Sequence, residues 1–393
     1  MSTKHLSYLD SLRGLACMTV VIFHLFIFVY PGIQNGAYLS STGWKSIMCV
    51  GPLGFLFAGN AAVCLFFILS GYVLSYPSIG NAEMKWKLIA ATIKRPIRLG
   101  GIFLFAVCLG CIQDFNHVSE LVTFFKNNCM IDFLMNLGKI ANNPLWTIPI
   151  ELIGSFITFG ICFLIGNWNK YVRMSLLVTL ALCLNTNSYF PFIFGIIIAD
   201  LSKNWTIQWF ISHKKIISIL LFIPAFYLFS YPHFLYRVYL DTPYRDVTFI
   251  AAGYSMIGAM LMFVSVCSSD YSQKVLSWRP LVFIGEISYS IYATHMPLIA
   301  VIVGSVLAIL KFILMPTDIA FLISSCIGLP IIVVIACLVD KYVDKPSIRF
   351  SAWFANGSID KIHQYVDSMK NGVKRICKAR SSSIGNSFPT IEN

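Results

Sequence analysis

The chain has 393 residues, of which 57% are hydrophobic, 15% aromatic and only 12% charged, with a mean hydropathy of +0.75 and a formal net charge of +12. Soluble domains carry about 25% charged residues, and no stretch before residue 350 is polar enough to form a soluble surface. The composition therefore excludes an ordinary soluble enzyme and indicates an integral membrane protein.

Apolar runs recur along the chain at lengths suited to a bilayer, whose core of about 30 Å needs about 20 helical residues. They predict an all-α, polytopic fold with about ten transmembrane helices. The predicted spans are 11–30, 52–76, 97–113, 144–165, 172–184, 188–201, 214–231, 248–267, 281–310 and 318–340. The fifth and sixth are short, and the ninth is long enough to tilt or bend.

The positive residues are distributed unequally between the two sides of these spans. With the N-terminus inside, 23 Lys and Arg residues fall on cytoplasmic segments and 6 on the opposite side. Positive residues are retained in the cytoplasm, so both termini are predicted to be cytoplasmic. The net charge then reflects membrane sidedness, and no nucleic-acid partner is expected.

The first span carries two ionisable residues, Arg13 and His24, on one helix face. Eleven steps of about 100° end only about 20° beyond three full turns, and they cover about 16 Å of helix. This geometry predicts Arg13 near the cytoplasmic mouth and His24 near the midplane, with Asp10 placed to hold Arg13. A lone intramembrane histidine is equally consistent with a hydrogen-bonded packing residue, so the helix alone leaves the role of His24 open.

Two further groups of charged residues border the membrane. Lys94, Arg95 and Arg98 begin the third predicted span, where they are either a sidedness signal or a phosphate clamp. Glu151 is expected in the outer half of the fourth span, where it either pairs with an Arg or His of a neighbouring helix or serves a site.

A polar strip lies in the ninth span. Ser288, Tyr292 and His295 have the spacing i, i+4 and i+7, which places them on one helix face. The strip indicates either a deep polar cavity or hydrogen bonding between helices.

The composition changes after the last span, so we divide the chain into a membrane domain, 1–350, and a cytoplasmic tail, 351–393. Apolar residues recur at alternating intervals of three and four between 359 and 376, flanked by basic residues. This pattern predicts a helix on the anionic inner leaflet, with a short coiled coil as the alternative. Residues 381–393 are expected to be disordered.

Five elements in chain order resemble the acyltransferase-3 family of integral membrane proteins. The resemblance covers residues 7 to about 350. The elements are Arg13 with His24, Leu65-Phe-Phe-Ile-Leu-Ser70-Gly71, Arg95-Pro-Ile-Arg98, Leu145-Trp146-Thr-Ile-Pro-Ile-Glu151 and Ser288-Tyr-Ser-Ile-Tyr292-Ala-Thr-His295. Thr147, Ala293 and Asp344 depart from the commoner residues of that family.

The resemblance implies an O-acyltransferase that uses acetyl-coenzyme A or another acyl-coenzyme A as donor substrate, with no permanently bound cofactor and no metal. It implies three groups of site residues. The catalytic residues are His24 as general base, Arg13, His295 and Glu151; the donor phosphates bind Arg95, Arg98 and Lys94; and the substrate or oxyanion residues are Ser288, Tyr292, Ser70, Trp146 and Asp10. An apolar cavity would favour a neutral His24, and either direct transfer or an acyl-histidine intermediate is compatible with the sequence.

The implied acceptor is an extracytoplasmic carbohydrate or lipid-linked glycan, with a surface polysaccharide such as O-antigen as the first hypothesis. The expected location is the plasma membrane, or the inner membrane in a bacterium, in contact with membrane lipids. The sequence leaves the oligomeric state open. The main alternative function is a transporter or flippase of a lipid-linked sugar, which would also need a polar cavity but no thioester donor.

Overall fold

The structure is a computed structural model that describes residues 6–32, 44–45, 52–114, 116–127, 130–184, 188–204, 208–230, 245–362 and 369. These residues form helices and connecting turns, with no strand among them, which confirms the all-α prediction. Within these described ranges, five helices are long and apolar enough to cross a membrane: Ser7–Val29, Lys85–Gln113, Asn143–Ile165, Ser288–Phe312 and Thr317–Ile362. The number of ten spans and the location of the termini stay predictions.

We number the α-helices of the described chain in order. They are α1 (Ser7–Val29), α2 (Gly59–Ser75), α3 (Lys85–Gln113), α4 (Asn116–Asn127), α5 (Met130–Ala141), α6 (Thr147–Ile165), α7 (Lys170–Cys183), α8 (Phe190–Asn204), α9 (Gln208–Phe229), α10 (Arg245–Ser268), α11 (Asp270–Leu276), α12 (Arg279–Glu286), α13 (Ser288–Leu298), α14 (Gly304–Phe312) and α15 (Thr317–Val339). Turns of π-helix, Ile299–Val303 and Asp340–Asp344, follow α13 and α15.

The ninth predicted span is divided at Ile287. This residue has φ −93° and ψ 4°, which is outside helical geometry, and it separates α12 from α13. The side chain of Ser288 then donates a hydrogen bond of 2.7 Å to the carbonyl of Gly285 and so stabilises the end of α12. The break gives α12 and α13 separate axes next to α1.

The helices α4 and α5 were not predicted, because both lie in a joint between spans. Each has 12 residues, so a search for about 20 consecutive apolar residues passes over them. The third span also differs, since α3 begins at Lys85 and carries Pro96 in its interior. Arg95 and Arg98 therefore lie inside a long helix and not at its start.

The first helix packs against α2, α12 and α13. Two glycines bring its backbone close to α12. A Cβ atom added to Gly14 would lie 2.6 Å from the backbone nitrogen of Gly285, and one added to Gly285 would collide with the carbonyl of Asp10. Glycine is thus required on both sides of this contact, which sets the position of α1 relative to α13.

Polar contacts hold α1 at both ends. Near its C-terminal end, the hydroxyl of Tyr30 donates to Asp318 Oδ1 at 2.6 Å, and the ammonium of Lys45 lies 3.0 Å from the same carboxylate. The other end carries Asp10 and Arg13, which contact α12 and α13.

The final helical run continues through the second π turn to Ile362, and its exposed aromatic residues include Trp353. Most of the predicted amphipathic tail lies outside the described residues.

We predict that Gly285→Ala destabilises the protein by about 1–3 kcal/mol, because the new methyl group overpacks the contact with the α1 backbone. The thermal unfolding of detergent-solubilised protein measures this change. The control is Gly160→Ala in α6, where an added Cβ meets no atom within 4 Å. That substitution should be neutral or stabilise the helix by about 0.5–1 kcal/mol, and equal stability of the two variants would contradict the packing argument.

Candidate active site

A cavity of about 400 Å³ lies at the end of α1 that carries Asp10. Its size is within the range of about 300–1,000 Å³ that is usual for small-molecule sites. Apolar side chains, most of them of α2, form much of the wall, together with charged residues. Those charged residues are Asp10, Arg13, Arg95, Arg98, Glu151, Glu286 and Asp344. The wall thus holds four carboxylates beside three guanidinium groups, where the sequence had indicated a basic mouth.

Arg13 is fixed by a set of hydrogen bonds that links three helices. Its Nη2 lies 3.0 Å from Asp10 Oδ1 and donates at 3.0 Å to the carbonyl of Gly285, and its Nε donates at 3.1 Å to Ser288 Oγ. Asp10 therefore holds Arg13, as the spacing of three residues predicted. These bonds direct the guanidinium group to the α12–α13 junction.

Arg95 is paired with Glu151 inside the cavity wall. Its Nη2 donates to Glu151 Oε1 at 2.6 Å, and its Nε donates to Ser155 Oγ at 2.9 Å. Ser70 also donates to Glu151 Oε1, at 3.2 Å. The Arg95 side chain is only 11% exposed, so this pair is largely desolvated. Of the partners that the sequence left open for Glu151, the structure brings an arginine to it.

The predicted phosphate cluster of Lys94, Arg95 and Arg98 is only partly assembled at the cavity. Arg98 lines the cavity, is exposed, and makes no hydrogen bond or ion pair with any residue that the structure describes. Lys94 and the exposed Trp146 are not part of the cavity wall. The cavity therefore joins Arg95 and Arg98 but not Lys94, and it joins Ser70 but not Trp146.

Tyr292 and Thr147 form the inner end of the cavity. The hydroxyl of Tyr292 donates to the carbonyl of Pro144 at 2.9 Å and lies 2.8 Å from Thr147 Oγ1. Both side chains are buried, and the bonds join α13 to the start of α6. These hydrogen bonds fix the orientation of the Tyr292 side chain in the cavity wall.

The two histidines of the predicted spans meet behind Tyr292. His24 Nδ1 lies 3.1 Å from His295 Nε2, and the ring centroids are 5.0 Å apart. His295 is fully buried, whereas His24 is half-buried. Residues 271 positions apart are thus brought together, which the sequence did not predict.

The carbonyl groups around the pair determine which nitrogen atoms carry protons. His24 Nδ1 is 2.9 Å from the carbonyl of Val20, and His295 Nδ1 is 2.6 Å from the carbonyl of Tyr292. A carbonyl oxygen can only accept a hydrogen bond, so both Nδ1 atoms are protonated. In neutral His295 the lone pair is at Nε2, so the single Nδ1 hydrogen of His24 is shared between this nitrogen and the Val20 carbonyl, and neutral His24 keeps a lone pair at Nε2. This is the tautomer that a general base requires.

The histidine pair is adjacent to the cavity but does not line it. The described wall ends at Tyr292, whose carbonyl contacts His295 and whose phenol ring faces Phe66. A molecule in the cavity is therefore separated from His24 by the Tyr292 side chain. The expected open path from the mouth to His24 stays a prediction.

Sequence reasoning missed several residues of the cavity wall. Tyr289 donates to the carbonyl of Leu99 at 2.8 Å, and Thr147, Glu286 and Asp344 also line the cavity. Thr147 and Asp344 had been noted only as departures from the family pattern, although both stand within motif positions. The useful signal was the motif position itself, since Tyr289 lies within the predicted polar strip and Glu286 lies two residues before it.

A family model described as an acyltransferase domain matches residues 6–340. Among curated proteins, the chain is similar to O-acetyltransferase OatA of Staphylococcus aureus, in strains NCTC 8325 / PS 47, COL and MRSA252. Each is 25% identical over 340 residues, which cover 76% of this chain and 51% of the relative. The chain thus spans about half the length of these relatives. No solved structure matches.

We predict that Glu151→Gln lowers the free energy of unfolding by about 1.5–3 kcal/mol, because the Arg95 guanidinium loses its charged partner in a largely desolvated site. Thermal unfolding in detergent measures the loss. The control is Glu286→Gln, an exposed carboxylate of the same wall, which should change stability by less than about 0.5 kcal/mol. Adding Arg95→Met to Glu151→Gln should recover part of the loss, and no recovery would contradict a direct charge pairing.

Proposed function

We infer, since the chain belongs to the acyltransferase domain family matched over residues 6–340, that it is a membrane-embedded O-acyltransferase. It moves an acyl group, acetyl in our proposal, from cytoplasmic acyl-coenzyme A to a hydroxyl group of an extracytoplasmic carbohydrate. The curated relatives named O-acetyltransferase support the choice of acetyl and of an oxygen acceptor. The observation that carries the proposal is the contact between His24 and His295, which leaves a lone pair on His24.

His24 acts in this proposal as the general base. Its Nε2 takes the proton from the acceptor hydroxyl as the oxygen attacks the thioester carbonyl carbon, which contributes a factor of about 10² to 10⁴. The tetrahedral intermediate then collapses, the carbon–sulfur bond breaks, and the proton passes from His24 to the departing thiolate. His295 keeps His24 in the required tautomer, because its Nε2 accepts from His24 Nδ1.

Three candidate oxyanion donors are each engaged in the structure. Tyr292 donates to the carbonyl of Pro144, Ser288 to that of Gly285, and His295 Nδ1 to that of Tyr292. To stabilise the oxyanion, any of these groups would have to release the carbonyl oxygen to which it now donates and donate to the oxyanion instead. Tyr292 is the best placed for this exchange, because it stands between the cavity and the histidine pair.

Arg98 is the residue that we propose for the donor phosphate groups. Arg13 and Arg95 already donate to carboxylate, hydroxyl or carbonyl oxygens, whereas Arg98 lines the cavity without such a partner in the described chain. A guanidinium group that offers paired donors at the entrance suits a phosphate. The thioester arm would then extend along the apolar wall towards Tyr292.

The acceptor approaches, in this proposal, from the side opposite to the cavity, where α1 ends near Tyr30. A surface polysaccharide such as O-antigen or a lipid-linked glycan fits this geometry, and the corresponding location is the plasma membrane. A test supplies radiolabelled acetyl-coenzyme A and a glycan acceptor to opposite faces of proteoliposomes. Label transfer to the glycan supports the proposal, whereas unlabelled glycan and no binding of acetyl-coenzyme A would favour a transporter.

Replacement of His24 tests the proposed base. We expect His24→Ala to lower the transfer rate by about 10²- to 10⁴-fold with the thermal stability retained. His295→Gln should lose less activity than His24→Ala, because the Gln carbonyl can still accept from His24 Nδ1, whereas His295→Leu should approach the loss seen for His24→Ala. Turnover at the wild-type rate in His24→Ala would remove His24 from the mechanism.

Replacement of Arg98 tests the proposed phosphate contact. Arg98→Ala should weaken the binding of acetyl-coenzyme A by about tenfold to a hundredfold, because a hydrogen bond between charged groups contributes about 1.5–3 kcal/mol. Calorimetric titration of the solubilised protein measures the affinity. Lys94→Ala is the matched control, since Lys94 is a neighbouring cation outside the cavity wall, and equal losses in both variants would point to a general charge effect.

A further inference from the structure

Asp344 is a buried residue of the cavity wall, and one of its carboxylate oxygens has no hydrogen-bonding partner among the described residues. The residue is 5% exposed, and its Oδ1 accepts no hydrogen bond from the described residues. Native proteins pair most buried polar groups, because burial of a carboxylate oxygen without a hydrogen bond is strongly unfavourable. The half-buried wall carboxylate Glu151, by contrast, has its partners in Arg95 and Ser70. A buried and unpaired acceptor in a cavity indicates a site that a ligand completes.

The position of Asp344 is set by close packing between two helices. It is the last residue of the π turn Asp340–Asp344, and such turns occur frequently at functional sites. Gly101 of α3 leaves room for Ser347 just after this turn, because an added Cβ would collide with the Ser347 hydroxyl. The carboxylate is therefore held against α3, the helix that carries Arg98.

Asp344 and Arg98 are complementary in charge and differ in exposure. The two side chains interact electrostatically, and both line the cavity. Arg98 is exposed and can meet an anion at the entrance, whereas Asp344 is buried and can only accept hydrogen bonds when ionised. A ligand that satisfies both must carry an anionic group and, further in, an N–H or O–H donor.

We propose that Asp344 recognises the arm of the acyl donor by accepting a hydrogen bond from one of its amide N–H groups, while Arg98 contacts a phosphate group. This assignment rests on the proposed function, which supplies acyl-coenzyme A as the ligand. That molecule carries amide groups between its phosphates and its thioester, in the order that the two residues require. Asp344 is thereby a specificity-determining residue for the arm and does not contact the reacting carbonyl.

Binding measurements with parts of the donor test this assignment. Acetyl-pantetheine carries the arm without the nucleotide, and adenosine 3′,5′-bisphosphate carries phosphates without the arm. For Asp344→Leu, which removes the acceptor, we expect acetyl-pantetheine to bind about tenfold to a hundredfold more weakly, with the affinity for the bisphosphate unchanged. Asp344→Asn, which keeps an oxygen acceptor but loses the charge, should show a smaller loss. The matched control is Asp340→Asn in the same π turn, because Asp340 pairs with Lys345 and is not part of the cavity wall.

The thermal stability of the ligand-free protein separates recognition from a structural role. Removal of an unpaired buried carboxylate should leave the melting temperature of Asp344→Asn equal to or above that of the wild type. A lower melting temperature with unchanged affinity for acetyl-pantetheine would overturn the assignment in favour of a structural role. Equal losses for acetyl-pantetheine and the bisphosphate would overturn it as well. If the wild type binds no acetyl-coenzyme A, the proposed function itself fails, which is a distinct result. If Asp344→Leu does not fold, the affinity of Asp344→Asn for acetyl-pantetheine decides the assignment.

Discussion

The backbone contact between α1 and the α12–α13 junction is the constraint on which the candidate active site depends. Gly14 and Gly285 allow the two backbones to approach, and Arg13 then reaches the carbonyl of Gly285 and the hydroxyl of Ser288. The same approach aligns α1 with α13 over three turns, so that His24 meets His295. Because helices in lipid gain little from hydrophobic association, close packing at small residues and hydrogen bonds are the forces that can fix this register.

The pairing of charges explains why the cavity wall is not uniformly basic. Charged groups removed from water need opposite charges or hydrogen bonds, and this need is greater within a membrane. Arg13 with Asp10, and Arg95 with Glu151, satisfy it inside the protein. These pairs shape the wall, which leaves Arg98, Glu286 and Asp344 as its charged residues without a hydrogen bond or ion pair to another described residue. A count of basic residues in the sequence therefore overstates the charge that a ligand would meet.

Tyr292 divides the candidate site into two parts. The cavity on one side holds the charged residues, and the other side holds the histidine pair, of which His24 is half-buried. The hydrogen bonds of Tyr292 to Pro144 and Thr147 keep its ring across the boundary. In the proposed reaction, transfer of an acyl group to an acceptor near His24 requires the Tyr292 side chain to turn aside or the thioester to pass its edge.

The sequence by itself determined the helical membrane class, the family and the shared face of Arg13 and His24. Composition, span length and helical periodicity are local properties, and motifs in chain order need no knowledge of contacts. It also placed Asp10 beside Arg13, since three residues form almost one turn. Only the tertiary structure decided that His24 meets His295, that Glu151 takes Arg95 as its partner, that Lys94 and Trp146 lie outside the cavity, and that Asp344 lies buried within its wall. Each of these depends on how distant helices pack and where α12 breaks from α13. Such packing arises from steric fit between side chains far apart in the chain, which no local pattern encodes.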